Sequence, residues 1–311
     1  MTKLIKGLHH VTALAADAQE NVDFYTKVLG LRMVKLTVNF DAPDVYHLYY
    51  GNYNAEPGSI MTFFPYGRIG RGTRGIGEVN FTSFSVPVNS LAFWMERLSS
   101  FNISYDMPQK RFNESYIRFQ DYDGLGIELV AADGDLRTSQ GMNGIPDEFA
   151  VKGFYSVNLN EIASEKTIKL LTEVMDYSII SEGNGRFRLS ADGNKAGYYV
   201  DMTVNKNAPL ARQGAGSIHH IAFAVETEED QLAVREKLMS YGMNVTAVLD
   251  RNYFKSIYFR EPGGVLFEVA TNPPGFTVDE ELSSLGKELK LPSWYEPHRN
   301  TIEQVLPKLS Y

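Results

Sequence analysis

Cysteine is absent from the 311-residue chain. Disulfides, thiolate-bound zinc and iron–sulfur clusters are therefore excluded, and any metal must be held by nitrogen and oxygen. Long apolar runs are also missing, and none approaches the length of a membrane span. There is no basic stripe either: the formal net charge is −8, with both signs mixed along the chain. That argues against nucleic acid held through its phosphates, and gives no reason to expect an anionic membrane surface as partner. The opening MTKLIKGLHH lacks the apolar stretch and cleavage site of a signal peptide. The expectation is a cytoplasmic protein.

Histidine is scarce too, and its placement is informative. Four of the six histidines fall in two doublets, His9–His10 in GLHHVTALA and His219–His220 in SIHHIAFAV. Each doublet opens an alternating, strand-like run. Acidic, cap-like residues follow, then a helical stretch that ends near Gly30 or Gly242. A second internal similarity joins DYDGLGIELVAADG to REPGGVLFEVATNPPG, where a glycine turn opens a short strand with one glutamate inside it.

These repeats point to a unit of strand, helix and three strands, present four times. Modules one and two make an N-terminal half, residues 1–135, and modules three and four a C-terminal half, residues 151–275. The polar stretch 136–150 reads as a linker and residues 276–311 as an appended tail with a helix. Short turns between the last three strands of each unit make them antiparallel hairpins. The expected class is α+β, with curved sheets carrying helices on their outer faces.

Strand alternation sorts the side chains. In SIHHIAFAV, His219 shares a bulky face with Ile221, Phe223 and Val225, whereas His220 shares a small-residue face with Ala222 and Ala224. The small face suits a cavity, so His220 is the expected ligand and His219 a support. Glu268 lies opposite Phe267 and beside Ala270, and buried glutamates are rare unless paired or metal-bound. Tyr258 falls on the cavity side of KSIYFRE, and repeat alignment matches His10 to His220. Two imidazoles and one carboxylate without thiolate suit Fe(II) or Mn(II) and leave coordination positions open. Aligning PGSIMTFF with PGGVLFEV sets Phe63 against Glu268, so module one adds no fourth ligand.

Together with YHLYYGN, DRNYFKSIYFREPGGVLFEVA and the tail, these pieces resemble ring-cleaving dioxygenases of the hydroquinone type. That group belongs to the vicinal oxygen chelate superfamily, alongside glyoxalase I and the catechol extradiol dioxygenases. The resemblance covers nearly the whole chain. It implies a mononuclear Fe(II) site held by His10, His220 and Glu268, with Mn(II) or another divalent metal able to occupy it. It also implies supporting roles for His9 and His219, and substrate contacts from Tyr258 and Arg251. Modules one and four would pair around the metal in one barrel, and modules two and three would form the other. That second barrel retains Glu128 but lacks the histidines, Phe81 standing near their place. The implied partners are a small aromatic substrate and dioxygen, and a homodimer is compatible with the sequence.

Two other functional classes compete: a metal-dependent isomerase or thiol transferase of the glyoxalase type, and a non-catalytic protein that binds aromatic ligands. GRGTRG (residues 70–75) matches a dinucleotide fingerprint but precedes a strand, so it reads as a mobile basic loop. His47 reads as a hydrogen-bonded core residue, and His298 in the tail has no evident partner.

Overall fold

A computed structural model describes residues 3–311. Module one runs through β1 (Leu8–Ala15), α1 (Ala18–Val22), β2 (Arg32–Asn39), β3 (Ala42–Gly51) and β4 (Ile60–Pro65). Helix α1 is capped by the Asp17 carboxylate on the Glu20 N–H and continues as a wider π-type turn over Asp23–Val28. Module two comprises β5 (Glu78–Val86), α2 (Leu91–Ser100), β6 (Gln109–Arg111), β7 (Glu114–Gln120) and β8 (Gly126–Ala131). Module three comprises β9 (Gly153–Glu161), α3 (Glu165–Glu173), β10 (Ser178–Gly183), β11 (Arg186–Ser190) and β12 (Tyr199–Val204). Module four comprises β13 (Ser217–Val225), α4 (Glu228–Ser240), β14 (Leu249–Asp250), β15 (Phe254–Arg260) and β16 (Leu266–Pro274). A short helix α5 (Arg299–Val305) lies in the tail.

The sixteen strands form two eight-stranded sheets. One has the order β14-β15-β16-β13-β1-β4-β3-β2, joining modules four and one; the other, β10-β11-β12-β9-β5-β8-β7-β6, joins modules three and two. The seam of each sheet is an antiparallel pair of first strands, β1 with β13 and β5 with β9. Within each module the first strand runs parallel to the last, as β1 does to β4 and β13 to β16.

The outer faces are apolar because the strands alternate. Ile221, Phe223, Val225, Phe267 and Val269 are buried in one cluster with Val234 and Leu238 of α4. Burying each such side chain contributes about 1.5–3 kcal/mol. Gln231 of α4 ties that helix to the sheet, donating to the carbonyls of Lys255 and Val269 at 2.7 and 2.8 Å. The inner faces are polar and form two cups.

All four seam strands break register once. In β1, Leu8 pairs with Phe223 and His10 with Ala222, so His9 is an extra residue. In β13, Thr12 faces His220 and Ala13 faces Ile218, so His219 is extra. Asn80 in β5 and Tyr155 in β9 are extra in the same way. These are β-bulges, which add one unpaired residue and reset the alternation beyond it.

The segment 70–75 is pinned rather than loose. Gly72 donates to the Ala215 carbonyl, Thr73 and Arg212 exchange two backbone hydrogen bonds, and Ile76 donates to Pro209. A Cβ at Gly75 would lie 2.1 Å from the Pro209 carbonyl, which accounts for that glycine. Among the described residues no helix is long and apolar enough to cross a membrane.

Candidate metal centre

Strands β1, β13 and β16 converge on the inner face of the first sheet, each bringing one polar side chain. His10 Nε2 lies 3.3 Å from Glu268 Oε2, His220 Nε2 lies 2.9 Å from the same oxygen, and the two nitrogens are 3.2 Å apart. All three side chains are buried, and together they are the group of potential ligands found among the described residues.

The doublets explain how these atoms are aimed. His9 Nδ1 sits 2.9 Å from His10 Nδ1, and His219 Nδ1 sits 2.8 Å from His220 Nδ1. When His10 and His220 each carry the proton on Nδ1, they donate it to their neighbour and turn an Nε2 lone pair into the cup. An imidazole whose far nitrogen donates to a fixed acceptor is the usual arrangement around a bound metal.

Charge balance points the same way. Burial pushes Glu268 up, whereas protons on the Nε2 atoms of His10 and His220 would hold the carboxyl well below the usual range. Its Oε1 accepts from the Ser256 hydroxyl. Its Oε2 has no hydrogen to accept when both Nε2 atoms are bare. Burial and the neighbouring histidine hold His9 and His219 down at about 3, so both rings are neutral at ordinary pH. Burial likewise lowers His220. With the protons of His10 and His220 on Nδ1, three buried lone pairs face one another with no donor between them, an arrangement that a cation relieves. With nitrogen and oxygen donors alone, the residues fit a divalent first-row metal.

A cleft of about 310 Å³ opens beside the triad. Phe40, Phe64, Phe254 and Leu266 supply apolar walls, and Asn39, His47, Tyr49, Tyr66, His219, Arg251 and Tyr258 the polar positions. Arg251 Nε donates to the Tyr258 hydroxyl oxygen at 3.3 Å and also pairs with Asp41 at 3.2 Å. Burial opposes the Arg251 charge, but Tyr258, Asp41 and Glu268 hold it firmly protonated. Burial and Glu268 raise Tyr258, so it remains a neutral phenol whose own O–H is free to donate.

Three expectations need correction. His219 does not pack on the helix side: it is half-buried, lines the cleft and meets Phe64 edge-on at 5.9 Å. The bulge puts it beside His220 instead of behind it. Phe63 is not the counterpart of Glu268. Ala222 pairs with Glu268 and Thr12 with Thr62, so Thr62 holds that place, while Phe63 is buried in the core. His47 is hydrogen-bonded as expected, but it borders the cleft as well. His9 lies away from the cleft, fully buried and edge-on to Phe254 at 5.1 Å.

The second cup is built differently. Phe81 and Ser156 hold the places of His10 and His220, while Glu128 and Asp201 hold those of Thr62 and Glu268. Arginine fills it: Arg111 and Arg118 bind Glu128 at 2.6 and 2.8 Å, and Arg188 binds Asp201 at 2.7 Å.

A family model described as "Glyoxalase/Bleomycin resistance protein/Dioxygenase superfamily" matches residues 7–129 and 157–269. The chain belongs to this superfamily. Within it, the chain is 43% identical over 308 residues to a Bacillus subtilis (strain 168) protein named as the ring-cleaving dioxygenase MhqO, covering 98% of this chain and 97% of that one. It is 35% identical over 298 residues to the chlorohydroquinone/hydroquinone 1,2-dioxygenase of Sphingobium indicum, covering 92% and 91%. A crystal structure of a Bacillus subtilis protein described as a dioxygenase superposes with a TM-score of 0.94 at 41% identity, covering 99% of both chains. Glyoxalase I from Zea mays shares the fold, with a TM-score of 0.64 at 15% identity and coverage of 86% and 92%. The full-length relatives at 35–43% identity carry dioxygenase names, and the chain is an enzyme of that kind.

Proposed function

We propose that the protein is an Fe(II)-dependent dioxygenase that cleaves the ring of a hydroquinone or a related phenol. The observation that carries this reading is the set of three buried, converging ligand side chains, two imidazoles and one carboxylate, beside an aromatic-walled cleft. The names of the full-length relatives support the ring-cleaving chemistry. Mn(II) or another divalent ion is compatible with the same donors.

His10, His220 and Glu268 would hold the metal. Bound iron would supply positive charge that acidifies a phenolic hydroxyl, together with a redox couple linking ring and dioxygen. The rest falls to the protein. The walls Phe40, Phe64 and Phe254 exclude water from a ring lying between them. Because His220 donates through Nδ1, His219 presents its Nε2–H outward as a donor. The Tyr258 O–H is a second donor, and Arg251 adds a fixed positive charge behind it. A substrate oxygen in this corner meets two donors and the Arg251 charge, which favours its ionised form. His219 and Tyr258 therefore act as hydrogen-bond donors to the phenolate, Arg251 stabilises developing anionic oxygen, and His9 orients His10.

Anaerobic loading with Fe(II), followed by oxygen-uptake measurements on a panel of hydroquinones and catechols, tests the proposal. Uptake with the para-diols and identification of a ring-opened product are expected. Absence of uptake with every ring substrate in the iron-loaded protein would falsify it.

A further inference from the structure

The pairing register divides the first cup into two matching halves; the triad takes His220 and Glu268 from module four but only His10 from module one. In module four, Glu268 faces Tyr258 across the β15–β16 ladder. In module one, Thr62 faces Tyr49 across the β3–β4 ladder. Two residues earlier on the same strands stand Ser256 and His47. Thr62 thus holds the place of Glu268, Tyr49 that of Tyr258, and His47 that of Ser256.

The hydrogen bonds repeat as well. Ser256 donates to Glu268 in one half. In the other, His47 Nε2 lies 2.9 Å from Thr62 Oγ1, and the Tyr49 hydroxyl lies 2.8 Å from His47 Nδ1. Thr62 Oγ1 is also 2.8 Å from Thr12 Oγ1. Tyr49, His47, Thr62 and Thr12 are all buried, so this is a built chain and not a surface accident. If the phenol donates to Nδ1, then Nε2–H donates to Thr62, whose own proton remains available. Thr12 accepts that proton in the resting cup, but an oxygen carrying negative charge is the stronger acceptor.

We propose that Thr62 is the hydrogen-bond donor of the cup's fourth corner, and that His47, fixed by Tyr49, is the positioning residue that aims it. Its acceptor is the oxygen atom of whatever ligand occupies that corner. The proposal rests on the dioxygenase reading only for the identity of that ligand, a phenolic substrate or dioxygen. It stands on register and hydrogen-bond geometry for the rest.

Two sets of variants of the full chain test it. Thr62→Asp places a carboxylate where Glu268 has its counterpart, and a fourth donor, the second anionic one, should tighten Mn(II) binding at least tenfold in a competition titration. Unchanged affinity in a folded Thr62→Asp protein would overturn the placement. Thr62→Val and His47→Leu should each keep metal affinity within about twofold. Each should raise the KM for one ligand about tenfold, the size expected for one hydrogen bond to a charged partner. A raised KM for the hydroquinone marks a phenolic acceptor; a raised KM for dioxygen marks the gas.

Thr62→Ser and His47→Gln should restore the parent values, since both keep the donor. The double variant Thr62→Val/His47→Leu should be no worse than either single one; additive losses would show that the two do not act as a unit. Should the iron-loaded parent cleave no ring, the dioxygenase reading fails. The Mn(II) titration, with nitric oxide affinity of the Fe(II)-loaded variants as a second measure, still decides this proposal.

Discussion

Removing His220 should abolish metal binding, because its Nε2 is one of three converging donors. His220→Ala protein loaded anaerobically is expected to contain no iron by elemental analysis. His219→Ala should keep iron but lose rate by about 10–100-fold, as loss of a residue that orients a ligand does. Tyr258→Phe should lower kcat and leave metal content unchanged, since the phenol contacts no proposed ligand directly except through ring packing on His220 at 5.7 Å. At this scale the three proposed ligands were legible, because two doublets and a lone strand glutamate are rare patterns. The facing of His219 was not, since a bulge is a property of pairing and leaves no mark in the letters. Thr62 was missed by one position for a related reason. From the shared Pro-Gly the chain takes one residue more to reach Glu268 than to reach Thr62, and only hydrogen-bond register reveals that. Arg251 gave no sequence signal of its own; its role became readable once its side chain lay against Tyr258.

The arginine-filled cup shows what an element does with inward carboxylates when no metal neutralises them. Arg188 is buried and bridges Glu114 and Asp201, donating to both carboxylates. Replacing it leaves both carboxylates without their main partner, so Arg188→Met should destabilise the fold by about 3–5 kcal/mol in denaturant unfolding. Replacing Glu114 or Asp201 alone should cost less, because Arg188 keeps the other. Strand order, hairpins and the helix on each outer face follow from alternation and turn chemistry that the sequence displays. The four-fold unit and the α+β class were legible for that reason. The contents of the second cup were not, as its arginines are spread over strands of two modules and only the β5–β9 seam brings them together.

Across the whole molecule, the two sheets meet at an unusual pair of acids. Glu161, at the end of β9, is fully buried with neither carboxyl oxygen hydrogen-bonded. It lies against the Glu261–Val265 turn, where a Cβ at Gly263 would fall 1.7 Å from its Oε2. Glu261 accepts from Thr167, Gly263 and Val265 and is well supplied with donors. Burial, then Glu261, push Glu161 up to about 8. The folded state therefore holds a proton that the unfolded chain releases near its ordinary value of about 4.3. Between those two values the native state binds more protons, so this group makes stability fall as pH rises, and the loss is complete above about 8. In Glu161→Gln the amide donates to Glu261 without titrating. Its thermal midpoint should exceed that of the parent by a margin that widens from pH 5 to pH 9; a constant margin would refute the assignment. The bulge common to β1, β5, β9 and β13 also bears on ancestry. An extra residue at the same point of four strands, as His9, Asn80, Tyr155 and His219, is most simply one insertion made before the unit was copied. The histidine doublets would then be later occupants of a site that duplication had already widened.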